Sequence, residues 1–254
     1  LAKPLYLDGT VRKSGIMDLP LPDRDVDALV IGRDKPFTEK IDSARYSVPE
    51  ENVETAVTIH PSLDAACERK VIRSGVLSVT DDDASDGQHL SRYWTKLYPG
   101  AEISGLSRTG GNGLPLLTKY AVALPGFAQK TDGELFIPAV IVPYSLYDSF
   151  GRSVSRQNDL YVGDYRESFT KVTFRLPEGF EVTRLPENAD LSFGGIRLSY
   201  LFTSEGKNSC TVVSHLSVRR CVLKKDEYAA LRKFLSRSAL IEGTYICAAA
   251  GGGK

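Results

Sequence analysis

The sequence FTKVTFRLPEGFEVTRLPENADLSF, residues 169–193, decides the fold because it joins two strand patterns through a turn pattern. Apolar and polar residues alternate from 172 to 176, which predicts a strand with one buried face. Pro-Glu-Gly at 177–179 predicts a tight turn, since proline fixes one dihedral angle and glycine accepts a positive φ. Phe180 and Val182 resume the alternation. The stretch therefore predicts a β-turn-β unit in a β-rich protein.

Strand-like segments recur along most of the chain. They are found at 26–31, 53–59, 65–77, 101–108, 116–124, 134–142, 196–202, 210–218 and 244–248, and the alternation is clearest at 53–59, 196–202 and 210–218. Glycine- and proline-containing segments separate these stretches, which is typical of short strands joined by hairpins. We therefore expect a mainly β fold, antiparallel and sandwich-like, with two covering helices.

Two segments have the spacing of amphipathic helices instead. From Leu90, apolar residues follow at i+3, i+4 and i+7, so we expect Tyr93 and Trp94 on one buried face. The sequence Pro99-Gly100 should end this helix. Near the end of the chain, Asp226 precedes a second such pattern and is predicted to cap it.

Two polar segments allow a functional interpretation beside a structural one. The acidic run at 81–86 has the oxygen ligands that calcium prefers, but it also precedes a helix, where Ser85 or Asp86 could be the N-cap. The glycine-rich segment at 109–113 could contact phosphate, but it lacks the lysine and the following helix of a P-loop. We favour a helix start and a hairpin turn, and we expect no metal site and no cofactor.

Composition excludes several classes of function. Lysine plus arginine and aspartate plus glutamate each number 32, so the formal net charge is zero, which is unlike a general nucleic-acid binder. No apolar run is long enough to span a bilayer. The chain begins with leucine and its one methionine is Met17, so we expect a processed product or a fragment. The widely spaced cysteines form no CxxC pair and are predicted to be free thiols; they are Cys67, Cys210, Cys221 and Cys247.

Several segments, in order, resemble the region that follows the papain-like catalytic core in bacterial transglutaminase-like proteins. The sharpest is the pattern LP-x-G-[FY]-x-V-x-x-LP at 176–186. The full set is LYLDGT at 5–10, LPLPDRDVDALVIG at 19–32, TKVTFRLPEGFEVTRLP at 170–186, GGIRLSYLF at 194–202 and DEYAALRKFL at 226–235. The resemblance implies periplasmic or extracellular localisation and β-rich flanking domains.

The resemblance also implies a domain organisation and one site residue. Residues 1–48 would be the end of the core and a connector, 49–143 a first β-rich domain, and 144–254 a second with a C-terminal helix. Asp8 would match the catalytic aspartate that orients the histidine of a Cys-His pair. The matching cysteine and histidine would lie on an upstream catalytic domain of the same polypeptide. From the residues alone, Asp8 is a turn residue.

The resemblance implies a non-catalytic role for this chain, either supporting the core or binding a protein or glycan partner. The parent would carry out peptidase or acyl-transfer chemistry. The alternative is a stand-alone β-sandwich module that binds a glycan or a protein on the cell surface, with exposed aromatic rings as its platform. The candidate binding residues for that platform are Tyr144, Tyr147, Phe150, Tyr161 and Tyr165.

Overall fold

The computed structural model describes Tyr6, Asp23 and residues 26–31, 35–42, 46–78, 83–111, 114–162, 166–219 and 221–251, and for 83–86 the backbone alone. Its main feature is one large mixed sheet of eight strands. In spatial order these are β12 (Ala189–Phe193), β13 (Ile196–Ser204), β14 (Ser209–Val218), β10 (Arg166–Arg175), β3 (Glu50–Ile59), β4 (Ala65–Ser74), β6 (Leu114–Leu124) and β5 (Glu102–Gly111).

A smaller sheet and three helices lie on one side of the large sheet. The smaller sheet has the order β11 (Phe180–Arg184), β16 (Tyr245–Ala250), β8 (Glu134–Pro138) and β7 (Gln129–Thr131). The helices are α1 (Asp83–Leu97), α2 (Leu146–Phe150) and α3 (Tyr228–Glu242). Two strand pairs complete the described elements: β1 (Asp27–Val30) with β2 (Phe37–Lys40), and β9 (Leu160–Val162) with β15 (Cys221–Leu223). The mainly β fold with covering helices is confirmed.

The inner faces of both sheets share one hydrophobic core. Alternation in β10, β13 and β14 places residues such as Phe174, Leu198 and Leu216 in this core, each with no exposed surface. Ile137 and Ile246 enter it from the small sheet. Burying this many large apolar side chains is the main favourable contribution to folding.

One sheet contact departs from the antiparallel expectation. β10 pairs with β3 in parallel, with Phe174 opposite Val57, and it pairs with β14 antiparallel on its other edge. The large sheet thus contains strands from both sides of the predicted boundary between residues 143 and 144. That boundary falls between strands that share one sheet and one core.

The turn at 177–179 has the predicted geometry. Gly179 has φ +83°, a left-handed value that favours glycine, and Glu178 beside it is exposed. Leu176 before the turn is buried, while Phe180 and Val182 after it are half-buried against the core. The β-turn-β interpretation of this stretch is confirmed.

Helix α1 confirms two predictions and corrects two. Trp94 has no exposed surface, as expected, and the helix ends at Leu97 before Pro99-Gly100. Tyr93, predicted on the buried face, is instead 44% exposed. The helix begins at Asp83, before both predicted caps, so Ser85 and Asp86 lie within its first turn.

The prediction that Asp226 caps the last helix is also wrong. Asp226 lies inside a short 3-10 turn, Lys225–Glu227, that precedes α3. The free backbone N–H groups there are bound by other carboxylates: Glu227 accepts from the Lys224 N–H at 2.8 Å, and Asp159 accepts from the Lys225 N–H at 3.0 Å. Asp159, which is distant in the sequence, therefore takes part of the capping role that we predicted for Asp226.

Candidate binding face

The outer face of the eight-stranded sheet is covered by no other described element, and we call it the open face. Its residues alternate with those of the core, so Leu201, Val213 and Phe169 point outward while their chain neighbours point inward. A sheet with one uncovered face usually carries polar residues there. Apolar side chains on that face therefore mark a place of interest.

Three neighbouring strands carry an apolar patch on this face, formed by Leu201, Val213 and Phe169. Leu201 on β13 is 51% exposed and lies directly opposite Val213 on β14, which is 37% exposed. Phe169 on β10 is 39% exposed and lies opposite His215. We call these three residues the apolar patch. Exposed apolar side chains grouped on neighbouring strands are typical of protein-interaction sites.

A small polar network fixes the edge of the apolar patch. The rings of Phe169 and His215 stack with centroids 4.1 Å apart and planes 5° from parallel. The carboxylate of Glu167 lies 2.6 Å from His215 Nε2 and accepts a hydrogen bond from Ser217 Oγ at 2.7 Å. The carboxylate stands between histidine and serine, so this group orients Phe169 and does not activate the serine as a nucleophile.

A row of charged residues continues from the patch across the next strands. Lys171, Glu54, Lys70 and Lys119 lie opposite one another in register on β10, β3, β4 and β6. Lys70 Nζ lies 3.1 Å from Glu54, whereas no described carboxylate lies within 4.0 Å of Lys171 or Lys119. Two lysines are therefore available to an external partner. An exposed pair such as Lys70–Glu54 adds little to stability.

A shallow concavity of about 710 Å³ lies along this row and is lined by it. Its lining combines small side chains, including Ala56 and Ala121, with Lys171 and Lys119. β5 bulges at its edge between Ser104 and Ser107. Gly105 in the bulge has φ +63°, which a residue with a side chain rarely adopts. The open face is thus curved, with a polar basin next to the apolar patch.

The thiols of the chain are poorly suited to nucleophilic chemistry. All four cysteines are free, and three are buried. Burial raises the pKa of Cys67 and of Cys210 to about 12, so both are protonated at neutral pH. Cys247 accepts a hydrogen bond from Arg184 at 3.0 Å. Among the described residues, no hydrogen bond joins a cysteine to a histidine.

The structure places the predicted aromatic residues in two environments. Tyr144, Tyr147 and Phe150 lie at or beside α2 and pack, half-buried, against the core. Tyr161 is 50% exposed on β9, in a different sheet. Tyr165 and Asp8 lie outside the described residues. Three of the candidates therefore have structural partners, and their use as an exposed platform stays a prediction.

A partly buried polar cluster, not foreseen from the sequence, holds Tyr144 in place. Its hydroxyl lies 3.1 Å from Ser214 Oγ on the inner face of the sheet, and its N–H donates to Glu242 Oε1 at 2.8 Å. The Tyr200 hydroxyl also donates to Glu242, at 3.1 Å. Burial raises the pKa of Glu242, the last residue of α3, even though these hydrogen bonds favour its charged form.

Comparison with known proteins gives one result for part of the chain. Residues 134–243 match the model of a family described as a domain of unknown function with a solved structure, DUF3858. The matched segment runs from β8 to the end of α3, which is less than half of the chain. Neither the curated proteins nor the solved structures gave a match. No helix in the described part of the chain is long and apolar enough to cross a membrane.

Proposed function

We propose that the chain is a non-catalytic, β-rich binding domain that docks a folded protein partner on its open face. The observation that carries the proposal is the apolar patch. Leu201 lies opposite Val213, Phe169 lies diagonal to Val213 on the next hydrogen-bonded strand, and each of the three remains more than a third exposed. Burying such a patch in an interface gains hydrophobic free energy that the isolated domain does not obtain.

The surroundings of the patch favour a protein over a glycan. Glycan platforms present an exposed ring face, but one face of the Phe169 ring is stacked on His215. The patch is largely aliphatic, and Lys171 beside it begins a row of both charge signs. An apolar centre with a charged rim is the usual composition of a protein–protein interface.

The sequence resemblance suggests which protein this is. A transglutaminase-like catalytic core on the same polypeptide would supply the cysteine nucleophile and the histidine for acyl transfer at an amide, with Asp8 orienting that histidine. This chain would hold the core and limit access to its cleft. A bacterial parent in the periplasm or outside the cell is part of the same proposal.

The proposal is tested by separating the two partners. The core encoded upstream would be expressed without this chain, and its binding to this chain would be measured by isothermal titration calorimetry. We expect binding in the micromolar range or tighter, weakened at least about tenfold by Leu201→Asp, since a buried charge in an apolar contact is costly.

A matched control uses an equally exposed apolar residue elsewhere. Val222 on β15 is 54% exposed and lies outside the eight-stranded sheet. Val222→Asp should bind the core like the unmodified chain. Equal weakening by both variants, or no binding by the unmodified chain, would contradict the docking proposal.

A further inference from the structure

A second surface, on the small sheet, has the properties of a peptide-binding groove. It lies between the C-terminal part of α3 and the outer face of β8 and β16, and it has a volume of about 540 Å³. We call it the α3 groove. Its apolar lining consists of Phe136, Leu185, Pro186, Leu240, Ile241 and Tyr245. Ligand grooves have volumes of this order.

The lining contains large apolar side chains that the fold leaves in water. Leu240 is 74% exposed and Tyr245 is 45% exposed. The ring of Phe136 packs edge-on against Tyr245, with centroids 6.5 Å apart. Leu240 occupies an α3 position opposite the buried stripe of that helix, so it makes no contribution to the core. An exposed leucine beside an exposed tyrosine is expected where another molecule binds.

Two arginines stand on opposite walls of the α3 groove. Arg184 is the last residue of β11 on one side, and Arg237 projects from α3 on the other. No described carboxylate lies within 4.0 Å of either guanidinium group. Arg184 donates to the Cys247 sulfur on the groove floor. Glu187 is the single acid of the lining, so the described lining has a net positive charge.

We infer that the α3 groove binds an extended peptide segment of a protein partner, with an acidic side chain flanked by apolar ones. The apolar side chains would cover Leu240 and Tyr245, and the acid would pair with Arg237 or Arg184 in a charge-assisted hydrogen bond. The groove is open and not enclosed. A small carboxylate would remain largely in water there, whereas a peptide can cover the whole length.

The α3 groove is independent of the open face. Phe136, Tyr245 and Cys247 lie on the outer side of the small sheet, while Ile137 and Ile246 between them enter the core. The shared core separates the two surfaces. The inference therefore goes beyond the proposed function and does not depend on it.

A selection experiment with random peptides tests the inference. A phage-displayed library of random dodecapeptides would be selected on the immobilised chain and, in parallel, on the double variant Arg237→Glu with Leu240→Ser. We expect peptides enriched on the unmodified chain to contain aspartate or glutamate next to leucine or aromatic residues. The double variant should enrich none of them, and because both residues are exposed its circular dichroism spectrum should be unchanged.

A matched control variant, an altered peptide and an alternative ligand complete the test. Lys233→Glu changes a charge on the exposed side of the same helix, outside the groove lining, and should enrich the same peptides. A selected peptide labelled with fluorescein should lose at least about tenfold in affinity when its acid is replaced by lysine. The inference would be overturned if no peptide were enriched, or if enrichment survived in the double variant. It would also be overturned if the groove bound dodecanoate, a fatty acid with one carboxylate and an apolar chain, but bound no peptide.

Discussion

The two halves of the large sheet differ in how strictly they separate inward apolar residues from outward polar ones. In the β3–β4–β6 half, Val53 and Val71 face the core while Glu54 and Lys70 face water. In the β13–β14–β10 half the separation is locally inverted, because Ser214 and Ser168 turn inward and the apolar patch turns outward, although Leu198 and Leu216 still face the core. We call the β3–β4–β6 half the ordinary half, because Glu54 and Lys70 face water as expected. We call the β13–β14–β10 half the inverted half. It needs Tyr144 on its inner face and, in our proposal, a partner on its outer face.

The largest expected effect on stability concerns Trp94, which packs beneath the ordinary half. Trp94 packs under β4 and β6, within reach of Tyr120 and of the Arg69 guanidinium, and has no exposed surface. Trp94→Ala should lower the free energy of unfolding by about 3–5 kcal/mol through cavity formation. Urea denaturation followed by circular dichroism measures this. The neighbouring exposed Tyr93→Ala serves as the control, and a larger loss there would show that the helix face is misassigned.

The next effect tests the inverted half from the inside. Glu242→Leu would leave the Tyr144 N–H and the Tyr200 hydroxyl without their acceptor. Two partly buried donors without partners should cost about 2–4 kcal/mol in unfolding free energy. Denaturant melts at fixed pH measure the loss. A change below about 0.5 kcal/mol would mean that water replaces the carboxylate at no cost.

A pH series on the same residue separates its charge from its hydrogen bonds. Burial raises the pKa of Glu242 above its ordinary value of 4.5, so the folded state holds the proton more tightly than the unfolded state. The stabilisation that protonated Glu242 gives to the folded state is fully present below pH 4.5. It is lost as the pH rises through the raised pKa of the folded state. Glu242→Gln has no proton to lose. The variant should therefore gain stability relative to the unmodified protein over that rise, in melts at successive pH values.

A smaller effect is expected from the charged row of the ordinary half. Lys70 and Glu54 form an ion pair, but their side chains are 41% and 64% exposed. A double-mutant cycle with alanine at both positions should give a coupling free energy of about 0.2–1 kcal/mol. High salt should reduce it. A coupling above that range would indicate that the open face is less hydrated than its exposure suggests.

The smallest expected effect on stability concerns Leu201, on the outer face of the inverted half. Leu201→Thr should change the free energy of unfolding by less than about 0.5 kcal/mol, because half of the leucine is already in water. Thermal melts measure this. A clear loss of stability would show that the apolar patch supports the fold itself and would remove the main argument for a partner on the open face.

The sequence predicted those parts of the fold that depend on local pattern. The strand at 196–202, the hairpin of β3 with β4 and the positive φ of Gly179 each depend on residues close together in the chain. The parallel pairing of β10 with β3 could not be predicted, since no local pattern specifies which distant strands become neighbours. The true caps before α3 have the same explanation, because Asp159 comes from a distant segment.

The candidate sites were less predictable than the fold. Leu201 and Val213 each interrupt an alternation, beside Tyr200 and Val212, and that irregularity was an available signal of an apolar outer face. Glu242 gave a signal too, since a carboxylate is unfavourable at the negative end of a helix unless donors surround it. The α3 groove joins residues from four separate segments and has no local signature.

The parallel contact between β3 and β10 also has a consequence for biosynthesis. As the chain leaves the ribosome, β3 and β4 can pair at once, but one edge of β3 stays uncovered until β10 has been made. All the elements from α1 to β9 are synthesised in that interval. An uncovered strand edge can pair with strands of other molecules. Folding of this protein should therefore be slow and sensitive to truncation before residue 166, whatever the stability of the finished sheet.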